Sequence, residues 1–216
     1  NGVDALRLPV MSAAQIDALV AVDGIEHFDR AYRQGKGLIA ITGHIGCWEL
    51  IPAWFACHGY DIGVVGKRVY DDRLDELLTG LRARHGVATF DRETGAKQIL
   101  RHLQRGGAVG ILIDQDTRVA SVDAQFLGHS AKTPSGAAAF ADKLGCPVIP
   151  LAIHRQPDGH HLITVLPPLD PLDEADKDAR ILKLVQQQTT MIEQLVKIDI
   201  TQWVWMHLRW KEKPGS

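Results

Sequence analysis

What is missing from this chain limits it first. No apolar run approaches the roughly 20 residues that a membrane-spanning helix needs; the longest, such as Val148 to Ile153, are far shorter. Cysteine is scarce: Cys47, Cys57 and Cys146 are odd in number and show no CxxC spacing, which argues for free thiols in a reducing compartment and against a disulfide framework or a zinc site. Charge of one sign is not in excess, since 24 Lys and Arg stand against 26 Asp and Glu. Any attraction to an anionic partner must therefore come from a local patch, and a general nucleic-acid binder is disfavoured. Repeats, low-complexity tracts and a convincing linker are also missing, so the 216 residues read as one domain with enough apolar content to bury a core. The chain opens on Asn1 with no charged-then-apolar leader, as expected of a processed or excised piece whose anchor lay upstream.

What is present is an alternation of short apolar runs with longer amphipathic segments, the pattern of an α/β sheet covered by helices. Gly37 to Thr42 reads as a buried strand running into Gly43-His44, with a helix from about Cys47 to His58 stopped by Gly59. Strands follow at Asp61 to Val65, Ala88 to Phe90 and Ala108 to Ile113. Leu74, Leu77, Leu78 and Leu81 mark the inner face of one intervening helix, and Ile99, Leu100 and Leu103 that of the next. Thr117 to Lys132 reads mostly as loop, with a short strand at Gln125 to Leu127, and Thr133-Pro134 as the start of a helix ending at Gly145. Val148 to Arg155 and Leu162 to Leu166 form a hairpin across Pro157-Asp158-Gly159, and a long helix covers about Ala175 to Lys197.

The sharpest chemistry lies in Gly43-His44-Ile45-Gly46-Cys47-Trp48-Glu49-Leu50. A histidine leaving a core strand and an acid five residues later, in the first turns of a helix, can bring imidazole and carboxylate together. The carboxylate then fixes the tautomer, and the other ring nitrogen accepts a hydroxyl proton. The spacing alone is weak: ten histidines and 26 acids in 216 positions make about one His-x4-acid pair a chance expectation, and two occur, the second being His207 with Glu212. Only His44 sits at a strand-to-helix turn, where a sheet exposes an active-site residue.

Other residues keep two readings each. Asp114 and Asp116 suit the metal-binding Asp-x-Asp of a glycosyltransferase, or serve as caps and loop anchors. Cys47 is an activated thiol or small packing. Lys67, Arg68, Arg73, Arg82 and Arg84 form an anion-binding stretch or a solvated helix face. Trp48 and Trp54 line a pocket or fill core, with core favoured for Trp54. The tail of Trp203, Trp205 and Trp210 with Arg209 and Lys211 meets a membrane interface or packs on the sheet.

The segment Leu38 to Leu50 resembles the first motif of the late acyltransferases of lipid A synthesis, a branch of the glycerolipid acyltransferase superfamily that carries His-x4-Asp/Glu after a strand. The likeness continues in order through Arg68, Arg84, Asp114-Gln115-Asp116, Phe126-Leu127-Gly128, Ala131-Lys132-Thr133, Val148-Ile149-Pro150, Leu166-Pro167-Pro168-Leu169 and the tail from Trp203 to Lys211. Two departures are visible: Thr117 to Asp123 lacks a glycine, and Arg68 is not followed by proline.

This resemblance implies a mixed, mostly parallel central sheet flanked by helices, of the glycerol-3-phosphate acyltransferase type. It implies His44 and Glu49 as the catalytic pair, and substrate contacts from Arg68, Arg84, Asp116, Lys132 and Thr133. Backbone amides at Gly46 and Cys47, or Arg68, would receive the oxyanion. It further implies an acyl-carrier-protein or acyl-coenzyme A thioester as donor, a glycolipid acceptor, and neither metal nor cofactor. The expected place of work is the cytoplasmic face of a bacterial inner membrane. Acylation of another glycolipid such as a phosphatidylinositol mannoside, metal-dependent glycosyl transfer and a silent lipid-binding module remain as alternatives.

Overall fold

Runs such as Leu38-Ile39-Ala40-Ile41-Thr42 show no apolar-polar alternation because both faces of their sheet are covered, as parallel sheets require. A computed structural model describes residues 4, 7–68, 70–116 and 119–210, apart from the side chains of Asp72, Leu74 and Leu77. The strands are β1 (Val20–Asp23), β2 (Leu38–Thr42), β3 (Ile62–Gly66), β4 (Ala88–Asp91), β5 (Ala108–Leu112), β6 (Ser121–Phe126), β7 (His129–Pro134), β8 (Val148–Arg155) and β9 (His161–Val165). The helices are α1 (Ala13–Leu19), α2 (Ile25–Tyr32), α3 (Leu50–Cys57), α4 (Asp72–Arg84), α5 (Ala96–Gln104), α6 (Gly136–Leu144) and α7 (Lys177–Ile198).

The main sheet has the order β1-β9-β8-β2-β5-β3-β4. Every neighbouring pair is parallel except β8 with β9, the anticipated hairpin. The fold is thus the α/β sheet that the sequence pattern implied, and it is mixed and mostly parallel as the family resemblance implied. Alternate residues of β2 divide the core. Leu38 and Ala40 join Phe28, Leu50, Phe55 and Ile62 under α1 to α3, while Ile39 and Ile41 join Leu103, Phe126, Ile192 and Trp203 under α5 to α7. α3 is apolar almost all round and is buried from Leu50 to Phe55, as a helix without a polar face must be. Trp54 belongs to that core and stacks on His58.

Two expectations change. The stretch assigned to loop is an antiparallel ribbon, β6 with β7, paired from Ser121↔Pro134 to Phe126↔His129. Thr133-Pro134 consequently ends a strand rather than capping a helix, and α6 starts after Ser135. The ribbon's weak apolar alternation is explained by what covers it: only Ala124, Phe126, Ala131 and Thr133 are buried. Thr117 and the proposed inner positions Leu74 and Leu77 lie outside what the structure describes.

The described residues before β2 add an edge strand, a 3-10 turn at Leu8–Val10 and the helices α1 and α2, which pack with α3. Phe28, fully buried, meets Phe55 at 4.2 Å and Tyr60 at 5.2 Å between ring centroids. Truncating a buried aromatic costs about 3–5 kcal/mol. Phe28→Ala is therefore expected to lower unfolding free energy by about that amount in urea titrations, and an unchanged midpoint would show that the segment before β2 is not integral to the core.

Candidate active site

β2 and β5 are parallel neighbours whose last paired row is Thr42↔Leu112. Two residues beyond that row on each strand stand His44 and Asp114, so the register itself brings them side by side at the carboxyl end of the sheet. The His44 backbone N–H donates to Asp114 Oδ2 at 2.7 Å, and ring Nδ1 lies 2.7 Å from Oδ1. Trp203, from the chain's tail, adds its indole N–H to Oδ2 at 2.8 Å. Gly43 makes this closeness possible, since a Cβ there would lie 3.1 Å from Asp114 Oδ2.

Asp114 is wholly buried, and its side chain is 0% exposed against 22% for His44. Burial pushes its carboxyl up, but the hydrogen bond and charge of His44, with the His44 amide and the Trp203 indole, outweigh that and hold it below the ordinary carboxylate range. An ionised Asp114 requires the proton of His44 to sit on Nδ1. That leaves Nε2, which has no hydrogen-bond partner among the described residues, as an acceptor. The imidazole also meets the Trp48 ring edge-on at 4.9 Å.

His44 and Trp48 line a cavity of about 680 Å³, within the ~300–1,000 Å³ usual for small-molecule sites. Its charged lining is mixed, with the cations Lys67, Arg68, Arg82 and Arg92 beside the acids Glu49, Asp75 and Asp91. Ala40, Ile62, Val64, Gly110 and Leu112 form an apolar floor beneath Ile51 and Pro52 of α3. Ala40, Gly110 and Val64 lie in one row across β2, β5 and β3.

Glu49 lines the same cavity, but its carboxylate is engaged elsewhere. Arg82 grips it with two bonds, Nε to Oε2 at 2.9 Å and Nη2 to Oε1 at 2.6 Å. Among the described residues, the carboxylate that bonds the His44 ring is that of Asp114. Gly46, considered as an oxyanion donor, gives its N–H to the Gln202 carbonyl at 3.0 Å, and its left-handed backbone, φ 57°, fits it against the Ile153 carbonyl. Cys47 is buried before the helix, which starts at Leu50; burial, with the charge of Asp4, pushes its thiol up to about 11, so an activated thiolate is not supported.

Arg68 lines the cavity, whereas Arg84 is exposed and donates to the Pro9 carbonyl at 3.2 Å. Lys132 and Thr133 belong to β7, where buried Arg209 bonds the Lys132 carbonyl and reaches Thr133 Oγ1 at 2.7 Å. Asp116 does not line the cavity. An Asp-x-Asp metal pair is disfavoured by chemistry, because the oxygens of Asp114 already accept from His44 and Trp203. Among the described residues no cluster of three or more His, Cys, Asp or Glu is suited to hold a metal ion.

From the sequence, Asp114 reads as a metal ligand or loop anchor, Arg82 as part of a basic stretch and Trp203 as part of the tail, and none of the three is assigned to the histidine or its partner acid. The signal for Asp114 was positional: it follows its strand by the same two residues as His44. His207, the other His-x4-acid histidine, is placed with Nε2 3.1 Å from the Asp114 carbonyl oxygen, and Glu212 lies outside the described residues.

A family model described as bacterial lipid A biosynthesis acyltransferase matches residues 3–212. A phosphatidylinositol mannoside acyltransferase of Mycobacterium tuberculosis (strain CDC 1551 / Oshkosh) is 23% identical over 155 residues, covering 68% of this chain and 48% of that protein. A lipid A biosynthesis acyltransferase of Haemophilus influenzae is 25% identical over 189 residues, covering 85% and 56% respectively. The chain thus spans about half the length of the curated relatives it matches. Among solved structures, the 1-acyl-sn-glycerophosphate acyltransferase of Thermotoga maritima shares the fold, with TM-score 0.54 at 15% identity over 93% of this chain and 81% of that one.

The lowered Asp114 carboxyl has a consequence for stability. A group whose folded value lies below its unfolded value of about 3.9 stabilises the fold fully above that pH, and loses the contribution as pH falls through the folded value. Asp114→Asn should therefore be less stable than wild type at pH 7 but lose less on acidification below about pH 4. Urea titrations across pH 2 to 7 that gave both proteins the same slope would refute this.

Proposed function

The chain belongs to the bacterial lipid A biosynthesis acyltransferase family, and from that membership we propose that it transfers a fatty acyl group from an acyl-carrier-protein thioester to a hydroxyl of a lipid A precursor. The observation that carries this reading is His44, with Nδ1 on a buried carboxylate and Nε2 without a partner among the described residues, lining a cavity with a wall that bears cations and an apolar floor. Such a wall suits the phosphates of a glycolipid or of a phosphopantetheine arm, and such a floor suits an alkyl chain.

In this mechanism His44 Nε2 takes the acceptor hydroxyl proton as the oxygen attacks the thioester carbonyl carbon. Collapse of the tetrahedral intermediate breaks the carbon–sulfur bond, and the imidazolium returns the proton to the departing thiolate. Asp114 holds the tautomer and stabilises the imidazolium. Glu49 acts one step removed: paired to Arg82, it fixes the start of α3 against α4 and so shapes the cavity around His44. Arg68, with Lys67 and Arg92, meets anionic substrate groups, whereas the structure gives Arg84 an outer position. The Gly46 amide being engaged, the Cys47 amide and the cavity's cations are the candidates for the oxyanion.

We place the reaction at the cytoplasmic surface of the bacterial inner membrane, where a lipid acceptor would be met. Ile200, Trp205, Met206 and Leu208, large apolar residues exposed in the tail that borders the His44 loop, support contact with a lipid surface. No helix of the described residues is long and apolar enough to cross a membrane. A second reading is acyl transfer from acyl-coenzyme A to a phosphatidylinositol mannoside; the names of three relatives favour that acceptor and are silent on the donor.

Purified protein incubated with acyl-carrier-protein and acyl-coenzyme A thioesters, each against a lipid A precursor and a phosphatidylinositol mannoside, separates the readings by mass spectrometry of the products. His44→Ala is expected to lower kcat at least a hundredfold in the productive combination. Transfer in no combination, or transfer that survives loss of the imidazole, would end the proposal.

Gly110 offers a test of the apolar floor. A Cβ added there meets the Val64 side chain at 3.4 Å and the Gly63 carbonyl oxygen at 3.8 Å, both ordinary contact distances, so a larger side chain would extend into the groove instead of forcing the sheet apart. Gly110→Leu should shift preference toward shorter acyl chains in competition between thioesters of graded length. An unchanged ranking would mean that the chain lies elsewhere.

A further inference from the structure

The loop that carries His44 is not held by its own strand alone. Gly46 N–H donates to the Gln202 carbonyl at 3.0 Å, Val204 N–H donates to the His44 carbonyl at 3.0 Å, and Ile45 bridges antiparallel to Trp203. A segment more than 150 positions further along the chain is thus laid as a short extra strand against the loop. The Gln202 side chain ties that segment to β8, accepting from Arg155 N–H at 2.8 Å and donating to the Arg155 carbonyl at 2.9 Å.

From the middle of this bridge the Trp203 side chain turns inward. It is 3% exposed and packs on Phe126 at 5.4 Å and Trp205 at 4.6 Å. Its single polar atom, Nε1, donates to Asp114 Oδ2, the oxygen that also accepts the His44 amide. Nearby, His207 Nε2 lies 3.1 Å from the Asp114 carbonyl oxygen. The carboxylate that orients the imidazole is therefore itself oriented from the tail.

We propose that Trp203 is a positioning residue of the active site: its indole N–H fixes the rotation of the Asp114 carboxylate, leaving Oδ1 aligned with His44 Nδ1–H and Nε2 aimed into the cavity. This rests on the acyl-transfer reading of His44. Apolar packing alone would be served by any large ring. The directional demand is for one donor at one edge of a bicyclic ring, which phenylalanine lacks and tyrosine carries at a different reach. A buried carboxylate oxygen that loses a donor keeps its charge while its remaining bonds readjust, and this would loosen the alignment that proton transfer needs.

The test replaces the N–H and little else. Trp203 is exchanged for β-(3-benzothienyl)alanine, whose sulfur takes the place of the indole nitrogen, and separately for Phe; the first keeps the packing should Trp203→Phe not fold. For both, kcat is expected to fall about tenfold, the scale of one charge-assisted hydrogen bond, with KM changed less than twofold. In an Asp114→Asn background the same exchange should add less than a further twofold loss, since the bond it removes would no longer orient a carboxylate. Wild-type kcat in the benzothienyl form, or losses that multiply in the double variant, would overturn the proposal.

A second measurement uses no substrate. The His44 Nδ1–H proton should give a downfield NMR signal in the unliganded wild type, and that signal should be lost or broadened in the benzothienyl form. If the signal depends on the indole N–H but no acyl transfer is found in any form, the reading of the reaction fails and the positioning role stands. If acyl transfer is robust and the signal is indifferent to the exchange, the positioning role fails alone.

Discussion

A carboxylate without access to water is the constraint around which this site is arranged. Burying an unpaired charge is costly enough that a carboxyl group would sooner take up a proton than remain ionised. Asp114 stays ionised because three N–H groups converge on its two oxygens: the His44 ring, the His44 amide and the Trp203 indole. Each donor comes at a structural cost elsewhere. A side chain at residue 43 would crowd the carboxylate that the His44 amide reaches, and the loop clears the Ile153 carbonyl only because residue 46 has none. The indole arrives from the far end of the chain, which requires the long helix α7 to end where the tail can turn back over the sheet. The geometry of one imidazole therefore depends on elements spread from β2 to residue 203.

Parallel pairing makes the core of this arrangement economical. In a parallel pair both carboxyl ends lie at the same edge, so equal overhangs beyond the last paired row place side chains from two strands next to each other. His44 and Asp114 overhang Thr42↔Leu112 by two residues each. The same three central strands then supply the space before the histidine. Ala40, Gly110 and Val64 sit in a row on the α3 face, and the small first two members leave a trough where larger residues would have filled the layer between sheet and helix. An imidazole at one end of an apolar trough is the arrangement that the proposed acyl transfer uses.

The parts of this that were legible in the sequence are those with a local signature. Unbroken apolar runs announced the central strands, and the turn at Pro157-Asp158-Gly159 announced the hairpin of β8 and β9. The ribbon of β6 and β7 was missed because its outward positions face solvent while its inward ones include small Ala124 and Ala131 and polar Thr133, so no apolar period of two stands out. The roles of Asp114 and Trp203 were hidden for another reason. Nothing within ten residues of either says that it touches His44; only the strand order and register bring positions 44, 114 and 203 together.

Glu49 shows how a correct motif can carry an incorrect contact. Five residues after a histidine at a strand-to-helix turn, an acid can in principle fold back on the imidazole, and local spacing favours that picture. Glu49 occupies the N-cap position of α3 in helical conformation, and its side chain makes no capping bond to the helix amides. Arg82, three turns along α4, takes both of its oxygens instead. A two-bond guanidinium–carboxylate pair sets distance and angle together, so this one locks α4 onto the start of α3 beside the cavity that both residues line. With side-chain exposures of 18% and 21%, the pair is shielded enough that removing one partner would leave a charge poorly solvated on the cavity wall. An acid at this spacing thus has a structural role without contact to the imidazole: paired to Arg82 it holds a wall beside the ring, while the carboxylate that bonds the ring comes from the end of a different strand.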